Sequence, residues 1–455
     1  MTIGILFPDA VQNDARRLSA CITGVADETG NLAHQVVSSV ELQLLQQRWP
    51  VGEALGPLPE VQKGLGIGRP VFREAITILE MHGLLDVRRG PGGGLFVSAP
   101  SAEDVVGALL MYLALTGARQ DCVHEFRLVV WRMIVEAACE AGVHDLASGA
   151  EPGPWGFAFD LAQLIDNSAM MTAARFAEML VRTCDGGGAP AHDAALESAL
   201  KARNLAGAFS RLETLAGATD HDAPIITLEA IERSLSWSKR KSAMALAARL
   251  TGEMNRDPDA LEAEWETAER LGYTGAVVRQ ARRILQDFGI VRCQRGRKGA
   301  LWGQPVNPSG VIRLVAPYLI ANGVSACDNG DAAFFLASSA PGLAAKRASE
   351  GRPVPVKLLP PFAQSTDLID LFHVENLLLD LSGNPILAIM VRSLGLANFL
   401  TDGTPLAPAV GAEITAFNRR ILRAIESGDI KAAGALARSK ARAMRRPEAN
   451  LRRLA

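Results

Sequence analysis

The sequence lacks long apolar runs and any sign of an export signal. Its apolar stretches, such as 105–115 and 377–391, end at Gly, Asp, Asn or Pro before they reach the roughly 20 residues that a membrane span requires. The first ten residues contain Asp9 and no basic cluster, whereas a secretory signal begins with a basic segment. We therefore expect a cytoplasmic protein with no membrane partner.

Metal clips and enzyme motifs are also missing. The six cysteines are scattered, without a Cys-x-x-Cys pair or a histidine placed to suggest a zinc clip, and this pattern indicates reduced thiols. There is no Gly-x-Ser-x-Gly elbow, no phosphate-binding loop and no His-Glu-x-x-His pair. The sequence predicts a protein that is not an enzyme and that uses no cofactor.

The charge balance excludes a uniformly basic surface. The chain has 455 residues, of which 48% are hydrophobic and 21% charged, and its net charge is −2. This composition is ordinary for a folded protein with several domains. A near-neutral chain does not coat nucleic acid indiscriminately, so any DNA contact must come from local basic surfaces.

The sequence does contain one unit twice. Residues 55–96 are echoed without a gap by residues 261–302, at an offset of 206 residues. The offset aligns Leu55 with Leu261, Gly66 with Gly272, Arg73 with Arg279, Leu79 with Leu285 and Gly83 with Gly289. An echo at so long a period indicates duplicated domains and not solenoid turns.

The first copy has the pattern of a winged helix-turn-helix. Apolar spacing and the flanking Pro70 and Gly83 predict a helix over Arg69–His82, preceded by a glycine turn and a short helix over Pro59–Leu65. Strands are expected at Leu84–Arg88 and Leu95–Ser98, around a basic, glycine-rich hairpin.

The predicted surface suits double-stranded DNA. Arg69, Arg73 and Thr77 form one stripe on the second helix, where arginine can recognise guanine in the major groove. In the hairpin, Arg88 and Arg89 can bind phosphates, and Gly93 allows a close approach because it has no Cβ.

These residues resemble the GntR family of bacterial transcription regulators, in its FadR-like branch. The resemblance rests on the segments 51–55, 65–75, 83–84 and 88–97, and in a weaker form on 270–274, 277–281, 284–285, 288–291 and 295–299. It implies a DNA-binding regulator, which we expect to be a repressor. In the second copy we expect Thr274, Arg279 and Arg295 to contact DNA. Missing family contacts could be replaced there by Arg282, Arg283, Arg297 and Lys298, or this run of charge could be a solvated face.

Both copies depart from the family pattern at DNA-contacting positions. Pro59 and Trp265 stand where the first helix of the motif usually carries arginine. In the Ser-Arg pair before the second helix, Gly68 replaces serine in copy one and Gly275 replaces arginine in copy two. An alternative is therefore that the winged helices have become protein-docking modules.

Helix-compatible segments follow each copy. The first set is 102–118, 123–141, 158–167, 172–183 and 193–216, and the second is 333–349, 366–381, 385–400, 412–427 and 429–445. They resemble the all-helical effector-binding domains of FadR-type regulators. We expect a mainly α chain with an extension at 1–29, winged helices at 30–99 and 221–306, and helical domains at 100–220 and 307–455, the last with a basic tail.

Many such helical domains hold a divalent metal with one Asp and three His. The resemblance places Leu371, Glu375, Asn418 and Lys440 at these positions in the second domain, and Asp193 and Leu215 at the last two in the first. An ammonium offers no lone pair to a cation, so we expect neither domain to keep the metal.

We expect that a small-molecule effector could bind in the first helical domain. Arg127 matches the arginine of the family's Glu-x-Arg segment and could clamp a carboxylate, or could instead pair with Glu125 or another helix. Leu336 takes its place in the second domain.

The hypothesis from sequence is a single-chain pseudo-dimer, with or without further self-association, that binds a two-part operator and is nucleoid-associated when bound to DNA. The alternative is an architectural or protein-interaction module with degenerate effector domains.

Overall fold

The computed structural model describes residues 32–143, 154–186, 193–217, 226, 241–256, 262–287, 291–293, 301–303, 307–352, 368–402 and 408–444. The described chain is mainly helical and contains two small antiparallel sheets. Among the described helices, none combines the length and apolar composition that a membrane crossing needs.

The first repeated unit is a helix-turn-helix followed by a hairpin. Its elements are α1 (Leu32–Gln46), β1 (Ala54–Gly56), α2 (Leu58–Leu65), α3 (Arg69–Met81), β2 (Leu85–Arg88) and β3 (Gly94–Val97). Gly66 ends α2 in the left-handed conformation, with φ 63°, and so makes the predicted tight turn. The strands pair in the order β1-β3-β2, with Leu85 opposite Val97 and Arg88 opposite Gly94.

Six helices are described between the first and the second repeated unit. They are α4 (Ala102–Leu115), α5 (Asp121–Ala141), α6 (Gly156–Leu164), α7 (Ser168–Asp185), α8 (Ala194–Lys201) and α9 (Leu205–Ala216). The prediction of one helical stretch over 193–216 is wrong, because Arg203 takes a φ of 51° and the side chain of Asn204 caps a new helix at Gly207 N.

The described part of the second repeated unit has its helices and hairpin strands in the same order as the first; residues 260 and 261, the counterparts of Ala54 and Leu55 in β1, lie outside the described residues. It contains α10 (Lys241–Arg256), α11 (Glu264–Leu271), α12 (Gly275–Asp287), β4 (Val291–Cys293) and β5 (Leu301–Gly303). The helices α11 and α12 begin and end 206 residues after α2 and α3, which is the offset found in the sequence.

The final helices are α13 (Ser309–Ala321), α14 (Ala326–Ser349), α15 (Leu368–Leu381), α16 (Pro385–Asp402), α17 (Pro408–Glu426) and α18 (Ile430–Met444). Their caps repeat those of the first helical segment. Asn384 caps α16 as Asn167 caps α7, and Asp429 caps α18 as Asn204 caps α9.

The two halves of the chain pack across each other. Helix α4 packs on α13, and both α5 and α7 pack on α14. The N-terminal helix of each repeated unit lies on the helical segment of the opposite half, because α1 packs on α16 and α10 packs on α4. The helices α3 and α12 are also in contact.

A buried ion pair joins α1 to the opposite half. Arg313 of α13 donates from Nε and Nη2 to the two carboxylate oxygens of Glu41, at 2.8 and 2.9 Å. Glu41 is buried, whereas the Arg313 side chain is 21% exposed. Two parallel hydrogen bonds fix both position and orientation.

We expect Glu41→Ala to destabilise the folded chain by about 3 kcal/mol, because it removes the buried carboxylate that binds Arg313 with two hydrogen bonds and so joins α1 to α13. The exposed Glu53 provides the control, since Glu53→Ala should change stability by no more than about 0.5 kcal/mol. Urea denaturation of the full chain measures both variants. Equal losses of stability would show that the pair does not anchor α1.

Candidate functional site

The helix α3 presents two free arginines on its outer surface. Arg69 and Arg73 are exposed, while Phe72, Ile76 and Leu79 on the opposite side are buried in the core. Neither arginine forms an ion pair within the described residues. The Thr77 hydroxyl instead donates to the Arg73 carbonyl at 2.7 Å. The stripe thus offers two guanidinium groups and one threonine methyl group to a ligand.

The hairpin between β2 and β3 adds a second basic surface. The guanidinium carbon of Arg88 lies 3.9 Å from the centroid of the Phe96 ring, and its Nε is 3.3 Å from Asp86 Oδ2. This stacking holds Arg88 along the hairpin, where it stays exposed beside the exposed Arg89.

Gly93 has a structural reason to be glycine. A Cβ at this position would lie 2.4 Å from the Arg88 carbonyl oxygen and 2.7 Å from that of Gly90. The tight turn of the hairpin therefore requires glycine even without DNA, in addition to any close approach that glycine permits.

The second unit differs in its electrostatics. Arg279 is exposed on α12, but its Nη1 lies 2.5 Å from Glu264 Oε1 on α11. Thr274 is exposed and its hydroxyl accepts a hydrogen bond from Val277 N at 3.4 Å, whereas Arg283 is half-buried. The remaining predicted contacts, Arg295, Arg297 and Lys298, lie outside the described residues.

The pairing of Arg279 has a local cause. Glu264 occupies the position at which the first unit carries Leu58, so Arg73 has no equivalent carboxylate. Trp265, which stands where the family has arginine, is 66% exposed. The two copies share a backbone arrangement but present different side chains.

The helical segments contain a buried arginine that makes no hydrogen bond within the described residues. Arg127 on α5 is 7% exposed, its guanidinium carbon is 4.7 Å from the Trp131 ring centroid, and its Nη1 is 3.8 Å from Glu178 Oε2. Its Nε is buried without a partner. Burial lowers the pKa of Arg127 and raises the pKa of Glu178, because each loses its hydration.

Arg127 does not pair with Glu125; its ion pair is with Glu178 on α7, which is the pairing with another helix that the sequence left open. Arg347 of α14 donates to both Glu125 oxygens at 2.9 Å, and Asn384 donates to Glu125 Oε2 at 3.0 Å. The carboxylate is saturated by two partners from the other half of the chain. No sequence pattern indicates this contact, since the partners are 222 and 259 residues away.

The positions assigned to a metal in the second helical segment do converge. Lys440 Nζ donates to Glu375 Oε1 and, at 2.7 Å, to Asn418 Oδ1. In the first segment, Arg211 donates to both oxygens of Asp193 at 2.9 and 2.6 Å, and this hydrogen bonding lowers the pKa of Asp193. Sequence reasoning overlooked Arg211, which lies one helical turn before Leu215.

Within the described part of the chain, no three His, Cys, Asp or Glu side chains gather as a metal-binding group. The fold thus brings these positions close together, but a Lys or Arg side chain and its hydrogen-bond acceptors lie there.

Comparison with known proteins adds one structural likeness. No family model matches the chain, and no curated protein matches it. Among solved structures, GntR from Streptococcus agalactiae is similar over 45% of this chain and 98% of its own, with 18% identity and a TM-score of 0.32. A likeness of this size carries no argument about function.

Proposed function

We propose that the protein is a sequence-specific DNA-binding transcription regulator, acting as a repressor on a two-part operator. The observation that carries this proposal is the repeated helix-turn-helix, in which α3 and α12 each expose an arginine at the same position and lie against each other. Arginine on the second helix of such a motif is placed to contact base edges in the major groove.

Two DNA-binding units in one chain avoid the association cost that separate subunits face. The protein is in this proposal a pseudo-dimer made by internal duplication. Its halves bind different sequences, because Arg69 has Gly275 as its counterpart and because Arg73 is free where Arg279 is paired. The operator is therefore an imperfect palindrome or a direct pair.

Arg127 supports control by a small carboxylate. A guanidinium buried against Trp131 and lacking a hydrogen-bond acceptor within the described residues is stabilised by a ligand that supplies two carboxylate oxygens. The helical segments then set the spacing of the two DNA-binding units. The competing proposal is an architectural or protein-docking role, which the departures Pro59 and Trp265 favour.

Selection of DNA from a random library tests the main proposal. We expect the purified chain to enrich a motif with two unlike halves, and we expect Arg73→Ala and Arg279→Ala each to lose one half, since each removes one arginine from the groove. Selection at two salt concentrations separates base recognition from phosphate binding. Sequence-blind binding, or none, would favour the architectural role.

Glu264 competes with DNA for Arg279, so Glu264→Gln should tighten operator binding by about two- to fivefold, the size expected for a partly exposed ion pair. The matched control is Glu269→Gln, which removes one charge from the exposed surface of the same helix. Operator titrations by fluorescence anisotropy compare the two variants. If both variants bound the operator more tightly by the same factor, the effect would come from net charge and not from the release of Arg279.

A panel of small carboxylates tests the effector proposal. A carboxylate that binds near Arg127 should raise the Tm of the wild-type chain and change its operator affinity, and both effects should disappear in Arg127→Met. Arg132→Met serves as the control, because Arg132 pairs with Glu213 on the surface. A Tm rise that survives in Arg127→Met would place the ligand elsewhere.

A further inference from the structure

Three helices of the second helical segment meet at one amino group. Lys440 of α18 is 5% exposed, and its Nζ donates to Glu375 of α15 and to Asn418 of α17. Asn418 is fully buried, with an exposed fraction of 0%. Leu371, one turn before Glu375, is also buried. These are the four positions that the family resemblance assigns to metal ligands.

The donor set does not fit a metal ion. A metal ligand must offer a lone pair, and the ammonium of Lys440 has none. The Asn418 amide uses its oxygen, Oδ1, to accept from Lys440. Its nitrogen, Nδ2, is a hydrogen-bond donor that is buried without a partner. The unused polar hydrogens on Lys440 and Asn418 would repel a cation.

We propose that Lys440 is a built-in replacement for the metal. Its ammonium provides the positive charge at that position and joins α15, α17 and α18, as a divalent ion would by coordinating ligands from several helices. The lysine needs no uptake of a metal ion, and a chelator cannot remove it. Burial makes the contact strong, because the Glu375 carboxylate and the Asn418 amide would otherwise lose hydrogen bonds that water supplied.

The first helical segment reaches the same result with different residues. Asp193 stands at the position equivalent to Asn418, and the cation that it binds is Arg211 of α9, one turn before the position equivalent to Lys440. The Arg211 pair is more exposed than the Lys440 cluster. Because each half places a different cationic side chain beside this position, we infer that the fold requires positive charge there.

Metal analysis of the purified full chain is the first test. We expect less than a stoichiometric amount of any divalent metal and no change in Tm when a chelator is added. One equivalent of tightly bound metal per chain, with a fall in Tm on chelation, would overturn the proposal. The result does not depend on DNA binding, so it can fail or succeed separately from the proposed function.

Restoring the ligands is the second test. Asn418→His together with Lys440→His, beside the native Glu375, supplies three lone-pair donors at the place where Lys440 now bonds. We expect zinc to raise the Tm of this variant and to bind at one equivalent. The control combines Lys440→His with Arg419→His, which puts the second imidazole at an exposed neighbouring position. Equal zinc responses in the two variants would contradict a shared site.

A double-mutant cycle keeps the proposal testable if the histidine variant does not fold. Lys440→Met and Glu375→Gln should each lower the Tm, and the two together should cost clearly less than the sum of the single changes, because each removes the same contact. If the two losses of Tm were additive, Lys440 and Glu375 would act separately, and the proposal that Lys440 replaces the metal would be wrong.

Discussion

The arrangement of the molecule depends on one saturated carboxylate between its halves. Glu125 of α5 receives Arg347 from α14 and Asn384 from the cap of α16, and the Asn384 amide also donates to the Cys122 carbonyl. A buried carboxylate needs hydrogen-bond donors in place of its lost hydration, so displacement of α14 would remove Arg347 from Glu125 and displacement of α16 would remove Asn384. This constraint fixes how the helical segments meet and thereby where the two helix-turn-helix units lie.

Local structure was largely predictable from the sequence, because its causes are local. The helix α3 ends within one residue of its predicted bound, and the turn at Gly66 follows from the left-handed φ that glycine adopts. The break at Arg203 was missed because the apolar spacing continues through it and only the capping side chain of Asn204 restarts the helix. The helices α11 and α12 have the bounds of α2 and α3 shifted by 206 residues, which is the offset seen in the sequence.

The candidate site was predictable only in part, because ion pairs depend on contacts that are distant along the chain. Arg73 and Arg279 look equivalent in the sequence, yet Glu264 neutralises only the second. In the sequence, Lys440 stands where the family has a metal ligand. In the fold, its amino group donates hydrogen bonds to Glu375 and Asn418. In both cases the residue types were visible, but their partners became known only when the helices were placed.

The crossed packing of α1 and α16 also constrains how the protein is made. A ribosome synthesises α1 at the start of the chain, but the helix on which it packs, Pro385–Asp402, emerges only after most of the chain has been translated. Until then the surface of α1 that packs on this helix lacks its native partner. A truncated chain would therefore carry an incompletely packed first unit, an exposed apolar surface of the kind that chaperones and proteases recognise.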